Sequence, residues 1–315
     1  MSPKTVLVTG CSGGGIGAAI ALELTKRGHY VFATARTVSK IPAKLSEASN
    51  VTVLPLDVTS PPSIAEAVQA VTGSGRPLDV LFNNAGAGYT MPMLDVDVDN
   101  AKQVYEVNVW GVVRTVQAFA GLLIKTRGRV VNLSTCGAAV NTPWIGICLV
   151  LCVDLYTVLL VSGSADFYCF PSWIAAYCSS KAALTCISET LRLELSPFGV
   201  SVATVMAGVV ASHFHDNEPG FKLPEGSRYA FIEDIIAGWA SGKSKPGGCS
   251  AEKFAELLVE DIVGNGKDGL SWKGPHAGGI RFLSTWLPSW CQDAAMSINQ
   301  GLKELSQNIA GKEKS

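Results

Sequence analysis

"TVLVTGCSGGGIGAAIALELTKRG", Thr5–Gly28, decides the fold. "TVLVTG" reads as a short β-rich strand ending in Gly. "GIGAAIALELTKRG" carries apolar residues at helical spacing and stops at Gly28, which serves as a C-terminal cap. Between the two lies a glycine-rich turn. Glycines there let the backbone turn tightly and approach a pyrophosphate. The helix that follows offers free N–H groups and the positive end of its dipole. Gly10, Gly15 and Gly17 are the natural trio; Ser12 lies inside the turn and Ile16 packs behind it. A glycine cluster is also what an ordinary tight turn looks like. Its place at the first strand–helix junction is what gives the nucleotide reading weight.

Moving outward, the pattern repeats. "YVFATAR", "VTVLPLDV", "LDVLFNNAG", "GRVVNLST" and "VSVATVMAG" read as strands two to six, and "GLSWKG" as a further one. Helical stretches separate them: "SIAEAVQAV", residues 98–127, and "AYCSSKAALTCISETLRLELSPFG", stopped by Pro197 and Gly199. Strands alternating with helices mean βαβ units, right-handed crossovers and a parallel sheet. The expected fold is therefore α/β, a doubly wound parallel sheet of Rossmann type. The catalytic domain is expected over 1–270, with an apolar, aromatic segment and charged tail over 271–315. Residues 213–231 are polar with Gly and Pro and read as a mobile loop. "SAEKFAELLVEDIVG" reads as a helix with Ser250 as N-cap.

Composition excludes several classes. The formal net charge is −1 and there is no run of Lys or Arg, which argues against nucleic acid as a partner. The nine Cys form no regular framework, so they are expected as reduced thiols of an intracellular chain. Cys148 and Cys152 stand one helical turn apart, but no His or further Cys completes a metal pattern, so no metal is expected. The N-terminus runs straight into an apolar strand, with no signal-peptide pattern.

The end of the second strand reads the adenosine ribose. A carboxylate there favours NAD; a cation favours the 2′-phosphate of NADP. The sequence has "ATARTVSK", placing Arg36 with Thr37 and no acid. Arg makes paired, charge-assisted bonds to phosphate, so NADPH/NADP is the expected cofactor.

These features in order resemble the short-chain dehydrogenase/reductase family over about Thr5 to Ser212. "TGCSGGGIG" is similar to the family's glycine turn, with one extra residue. "LDV" places Asp57 where the family holds the adenine ring. "NNAG" matches its fourth-strand motif, with Asn84, Ala85 and Gly86 lining the cofactor. "NVWG" puts Asn108 at its helix Asn, and "YCSSK" supplies Tyr177 and Lys181. "AGVVAS" resembles the segment after its sixth strand, contributing Val210 and Ser212 to the cofactor. Ala207 stands there for the usual Pro and Ser212 for the usual Thr, so the carboxamide contact survives only as a different hydroxyl.

The chemistry is coherent. Reducing a ketone requires hydride on carbon and a proton on the developing alkoxide. A free phenol, with a pKa of about 10, exchanges protons poorly near neutral pH. A Lys four residues on lies on the same helical face and favours the phenolate. Tyr177 is thus expected as general acid/base. The resemblance implies that Lys181 also binds the nicotinamide ribose and that Asn108 anchors a water relay. A hydroxyl at the end of the fifth strand holds the carbonyl oxygen. Ser134 and Thr135 are both candidates; alignment with the family favours Thr135.

One feature breaks the pattern. Family members keep about thirteen positions between that hydroxyl and the Tyr, whereas Thr135 and Tyr177 are separated by an excess of about twenty-nine. Removing 147–175 restores the spacing. The segment reads as a true insertion, as a membrane element (Trp144–Val161 is long enough for a borderline span), or as a translated intron, since its codons stay in frame.

The C-terminal "SWKGPHAGGIRFLSTWLPSWCQDAAM" carries Trp272, Phe282, Trp286 and Trp290 with Arg281 and Lys273. Such a segment suits a membrane interface or packing on the body or a second subunit of a homo-oligomer. Within the family it looks like fungal NADPH-dependent 1-acyldihydroxyacetone-phosphate reductase-like members. That resemblance implies a ketone on a lipid-like or other apolar small molecule. It also implies a cytoplasmic enzyme or one peripheral on the endoplasmic reticulum or lipid droplet. The competing expectation is a nucleotide-binding or scaffold protein whose substrate site the 147–175 segment disrupts.

Overall fold

The computed structural model of the chain describes residues 2–140, 146–148, 169–171, 175–212, 214, 220–244, 247–264 and 268–312. Seven parallel strands form the central sheet: β1 Thr5–Val8, β2 Tyr30–Ala35, β3 Val51–Pro55, β4 Val80–Asn83, β5 Arg129–Thr135, β6 Ser201–Ala207 and β7 Gly269–Lys273. Their order across the sheet is β7-β6-β5-β4-β1-β2-β3. The order reverses between β1 and β4, and at such a switch point a crevice opens beyond the carboxyl ends of the strands.

Alternation along β1 shows how the two layers arise. Val6 and Val8 face one side, where α1 (Ile16–Lys26) packs through Ile20 and Leu24. Leu7 faces the other, where α2 (Pro61–Gly73) supplies Ile64, Ala67 and Val71. Successive side chains of a strand point to opposite faces, so a strand covered on both must be apolar throughout. Next come α3 (Val98–Tyr105), a π-helical turn over Glu106–Gly111, and α4 (Val112–Thr126), forming one continuous helix. Its Val112, Val116, Phe119 and Leu123 join the second core. The run Val98–Thr126 is long and apolar enough to cross a membrane by length and composition, but these side chains spend that apolarity on the sheet. α5 (Ala175–Leu195) adds Leu184 to the same layer.

After β6 the chain forms α6 (Glu233–Ala240), then α7 (Ala251–Val263), whose Phe254, Leu258, Val259 and Ile262 complete the first core against α1. Ser250 caps α7, its hydroxyl accepting from Lys253 N at 3.2 Å. Three helices end the chain: α8 (Ala277–Trp286), α9 (Ser289–Met296) and α10 (Leu302–Lys312).

Several expectations are corrected here. The polar stretch expected as loop to residue 231 already turns helical at Ala230–Ile232 and runs into α6. Ile232, Ile236 and Trp239 form one buried face that drives this. The expected charged tail is helical as far as Lys312. β7 crosses position 270, so the sheet body extends to Lys273. Trp272 therefore packs on Ile280 and Leu283, and Lys273 pairs with Asp261 at 3.0 Å; neither belongs to an outward-facing aromatic surface.

Of the extra segment, residues 146–148 and 169–171 form an antiparallel pair, Gly146 opposite Pro171, against which α9 packs. The excess thus leaves and returns at adjacent points. Its remainder, with Cys152 and most of the expected span, lies outside the described residues.

Candidate active site

The glycine turn is built by exclusion. Gly10 has φ +75°, and a Cβ there would lie 2.9 Å from Asn84 Nδ2. A Cβ on Gly17 would overlap Asn84 and sit 2.5 Å from Gly10 O. Asn84 is the reason for both: its Nδ2 donates to Thr9 O at 2.8 Å and to Gly10 O at 3.1 Å. Thr9 Oγ1 in turn accepts from the N–H of Asn84 and of Ala85, each at 3.0 Å. The first and fourth strand ends are thus stitched into one cradle. Ser12 O accepts from Gly15 N at 3.2 Å. Gly15 opens α1 with no side-chain cap, which leaves the N–H groups beside Ile16 to a ligand. Cys11, inside the turn, is buried, and burial pushes its thiol up to about 12.

Arg36 and Thr37 follow β2 directly and are exposed at the same edge. Asp57 lies just beyond β3; its Oδ1 accepts from the N–H and the hydroxyl of Thr59 at 2.9 and 2.8 Å. A cradle that only hydrogen fits, an uncapped helix start and an exposed cation at the second strand end together suit a dinucleotide phosphate.

Facing this cradle is α5. Lys181 is 4% exposed and donates from Nζ to Leu133 O at 2.7 Å. Burial lowers its pKa to about 8. Its Nζ is 5.8 Å from the Tyr177 ring centre. The Tyr177 ring packs on Phe214 at 5.2 Å between centres. Asn108 is fully buried in the π-helical turn, a local distortion that recurs at functional sites. Its amide exchanges two bonds with Ala87, both 2.9 Å, and donates to Ser180 Oγ at 2.9 Å. Ser180 Oγ donates to Tyr177 O at 2.6 Å. A Cβ on Gly86 would approach Asn108 Oδ1 at 3.3 Å and Lys181 Nζ at 3.7 Å, so these three residues meet at one point.

The two candidate hydroxyls part company. Ser134 is 2% exposed; its Oγ donates to Lys181 O at 3.2 Å and bonds Thr185 Oγ1 at 2.8 Å. It ties strand to helix. Thr135 is half-buried at the strand end, with Oγ1 3.5 Å from Ala207 O and accepting from Gly137 N at 3.3 Å. The following turn, Cys136–Ala139, packs on α5 and α8. Val210 lies in a two-residue strand paired with Cys249, and Ser212 follows at a bend.

Sequence reading passed over Thr9, Ser180 and Phe214. Thr9 and Ser180 stand inside motifs that were quoted, so their hydroxyls were in view without their partners. Phe214 carried no signal. The thiols beside the candidates, Cys136 and Cys178, are each pushed by burial up to about 12, so neither is a nucleophile near neutral pH. No cluster of metal-ligating side chains occurs among the described residues.

A doubly wound sheet with a glycine cradle at its switch point, faced by Tyr and Lys on one helix, defines a dinucleotide-binding oxidoreductase. The short chain dehydrogenase family profile matches residues 4–147 and 157–220. The short-chain dehydrogenase ptmH of Penicillium ochrochloron is 38% identical over 294 residues, covering 93% of this chain and 96% of that protein. The NADPH-dependent 1-acyldihydroxyacetone phosphate reductase of Schizosaccharomyces pombe is 34% identical, covering 90% of this chain and 85% of that protein. A crystal structure of a short-chain dehydrogenase from Streptomyces avermitilis superposes with a TM-score of 0.70 at 24% identity, covering 99% of this chain and 98% of that one. Another, from Burkholderia cenocepacia in complex with NADP, gives 0.64 at 21% identity, covering 90% and 94%. The chain belongs to the short-chain dehydrogenase family.

Proposed function

We propose that the protein reduces a ketone on an apolar small molecule with NADPH, or runs the reverse alcohol oxidation. The observation that carries this is the meeting of Gly86, Asn108 and Lys181 beside the glycine cradle, with Tyr177 one turn from Lys181. Gly10, Ser12, Gly15, Ile16 and Gly17 would hold the pyrophosphate, Arg36 and Thr37 the 2′-phosphate, and Asp57 the adenine. Asn84, Ala85, Gly86, Val210 and Ser212 would line the nicotinamide half. The NADPH-dependent relative and the NADP-bound neighbour support this cofactor. Bound NADPH supplies the hydride.

The chain's own residues handle the proton. Thr135 donates a hydrogen bond to the carbonyl oxygen and holds it against Tyr177. The Tyr177 hydroxyl gives its proton to the developing alkoxide. Lys181, cationic near neutral pH with its pKa about 8, favours the phenolate left behind. Asn108 fixes the β4 end against the Tyr177 turn through Ser180. Phe214, against the Tyr177 ring, excludes water from it.

The catalytic unit in this reading is the sheet body through β7, and the C-terminal helices form its substrate wall. Trp286 and Trp290, 73% and 71% exposed, with Phe282 and Arg281 exposed on the same helices, suit peripheral contact with a membrane surface. The test of function is NADPH oxidation, followed by absorbance, with a panel of apolar ketones. Turnover that prefers NADPH to NADH is expected. Tight NADPH binding without turnover on any ketone would instead mark a nucleotide-binding protein with a disrupted substrate site.

A further inference from the structure

Asn132 is fully buried in the middle of β5 and bonds on two sides. Its Oδ1 accepts from Asn83 Nδ2 on β4 at 2.8 Å, and its Nδ2 donates to Ser188 Oγ on α5 at 2.8 Å. Ser188 is fully buried as well, and its hydroxyl donates to Leu184 O at 2.7 Å. A buried polar side chain is costly unless its partners are in place, and here each hands on to the next. Asn83, Asn132 and Thr204 stand side by side in the sheet register, all three buried. Thr204 Oγ1 has no partner among the described residues. Of this polar row, Asn132 alone bonds α5 among the described residues.

The two bonds join the two halves of the site. Asn83 precedes Asn84, whose amide builds the glycine cradle. Ser188 lies on the helix that carries Tyr177 and Lys181. One amide therefore ties the strand of the cradle to the helix of the proton donor, from within the strand that ends in Thr135. A second tie exists at Ser180, which accepts from Asn108 Nδ2. Ser180 and Ser188 are about 12 Å apart along α5 by helical rise. A helix held at two points has a fixed tilt. Held at Ser180 alone it can pivot, and Tyr177 lies on the far side of that pivot from Ser188. Ser134 also joins β5 to α5, but it reaches no other strand. Without it Thr185 Oγ1 keeps its own bond to Lys181 O at 2.8 Å. Nothing among the described residues stands in for Ser188 as partner to Asn132 Nδ2.

We propose that Asn132 is a positioning residue for the reaction: through Ser188 it sets the tilt of α5, and so the place of the Tyr177 hydroxyl relative to Thr135 and the cofactor. This rests on the ketone-reductase reading above. Asn132 itself touches neither substrate nor cofactor. An amide suits the task because it offers an acceptor to Asn83 and a donor to Ser188 at once; a carboxylate or a leucine offers no such pair.

The experiment compares the wild type with Ser188→Ala, which cuts the tie on the helix side, and with Asn132→Leu, which cuts it at the strand with little change of size. Hydride transfer is followed in a single turnover, by mixing the preformed NADPH complex with an excess of the apolar ketone that the wild type reduces fastest. In both variants the rate constant is expected to fall by about tenfold to a hundredfold, with the NADPH dissociation constant unchanged. A bond that served stability alone would lower the amplitude, which counts folded enzyme, and leave the rate constant at its wild-type value; that result overturns the proposal. Adding Ser188→Ala to Asn132→Leu should slow the step no further, because both cut one tie. A multiplied loss in the double variant also overturns it. Should Asn132→Leu fail to fold, the rate constant of Ser188→Ala decides alone. Should the wild type reduce no ketone, the ketone-reductase reading fails separately. Crystal structures of the wild type and Ser188→Ala with NADPH then still decide: the separation of Thr135 Oγ1 and the Tyr177 hydroxyl is expected to change by about half an ångström or more, and an unchanged separation overturns the proposal.

Discussion

The cofactor side of the crevice and the side proposed for substrate are held together by different forces. On the cofactor side, Asn84 and Thr9 together close four hydrogen bonds between two strand ends, and would-be side chains at Gly10 and Gly17 meet the Asn84 amide. On the side proposed for substrate, Cys136, Val140, Ile280, Leu283 and Met296 pack through apolar contact, and Gln300 has no hydrogen-bond partner among the described residues. A satisfied polar network fixes one geometry. Apolar packing tolerates exchange of shape at constant volume. The same nucleotide can thus be kept while the substrate wall changes, which is how one fold serves many substrates.

Substitutions that strike each side separately sharpen the contrast. The largest effect belongs to the chemistry between them: Tyr177→Phe is expected to lower kcat by about 10²–10⁴-fold with the NADPH dissociation constant unchanged, measured by steady-state rates and fluorescence titration. Next comes Thr135→Val, expected to lower kcat by roughly 10²-fold or more through loss of the bond to the carbonyl oxygen. Its neighbour is the control. Ser134→Ala should cost about 1 kcal/mol of stability in denaturant unfolding and leave kcat within a small factor; the reverse pattern would make Ser134 the active hydroxyl. On the cofactor side, Gly17→Ala forces a methyl into Asn84 and should weaken NADPH binding while costing about 1–3 kcal/mol in stability. Arg36→Ala should erode the preference for NADPH over NADH by about tenfold or more; an unchanged preference would remove its role.

The buried lysine adds a pH dependence of stability. Burial lowers the pKa of Lys181 from 10.5 to about 8. Between these values the unfolded chain binds more protons than the folded one, so stability from this residue rises with pH across that window. Below pH 8 the charge is buried in full and the cost is complete. The stability of wild type relative to Lys181→Met should therefore rise as pH goes from 8 towards 10.5 and stay flat below 8, in unfolding experiments run in parallel at each pH.

The same contrast explains what the sequence disclosed. Strands β1 to β6 were legible because each is a continuous apolar run closed by a turn signal. The cradle was legible because its glycines are contiguous in the chain. Tyr177 and Lys181 were legible as a pair on one helical turn. What joins distant stretches was not. Nothing near Asn108 announces a π-helical turn or a bond to Ser180, because both follow from packing α4 on the sheet and α5 on α3 and the π-helical turn. Ser134 and Thr135 are adjacent hydroxyls in sequence, and only strand alternation against α5 separates their environments. The helices over 233–240 and 302–312 carry apolar spacing, Ile232–Ile236–Trp239 and Leu302–Leu305–Ile309, but polar neighbours hid it. The 147–175 excess was legible as a break in spacing, and the pairing of its two ends accounts for how the chain crosses it.

The central claim is that an intact proton-transfer site sits beside a nucleotide cradle despite that excess. NADPH oxidation by the full-length chain and by Tyr177→Phe, on the same apolar ketone, tests it most directly. Ketone-dependent turnover is expected in the wild type, with the alcohol formed in step with NADPH consumed, and its loss in the variant with NADPH binding retained. Equal turnover by both proteins would contradict it.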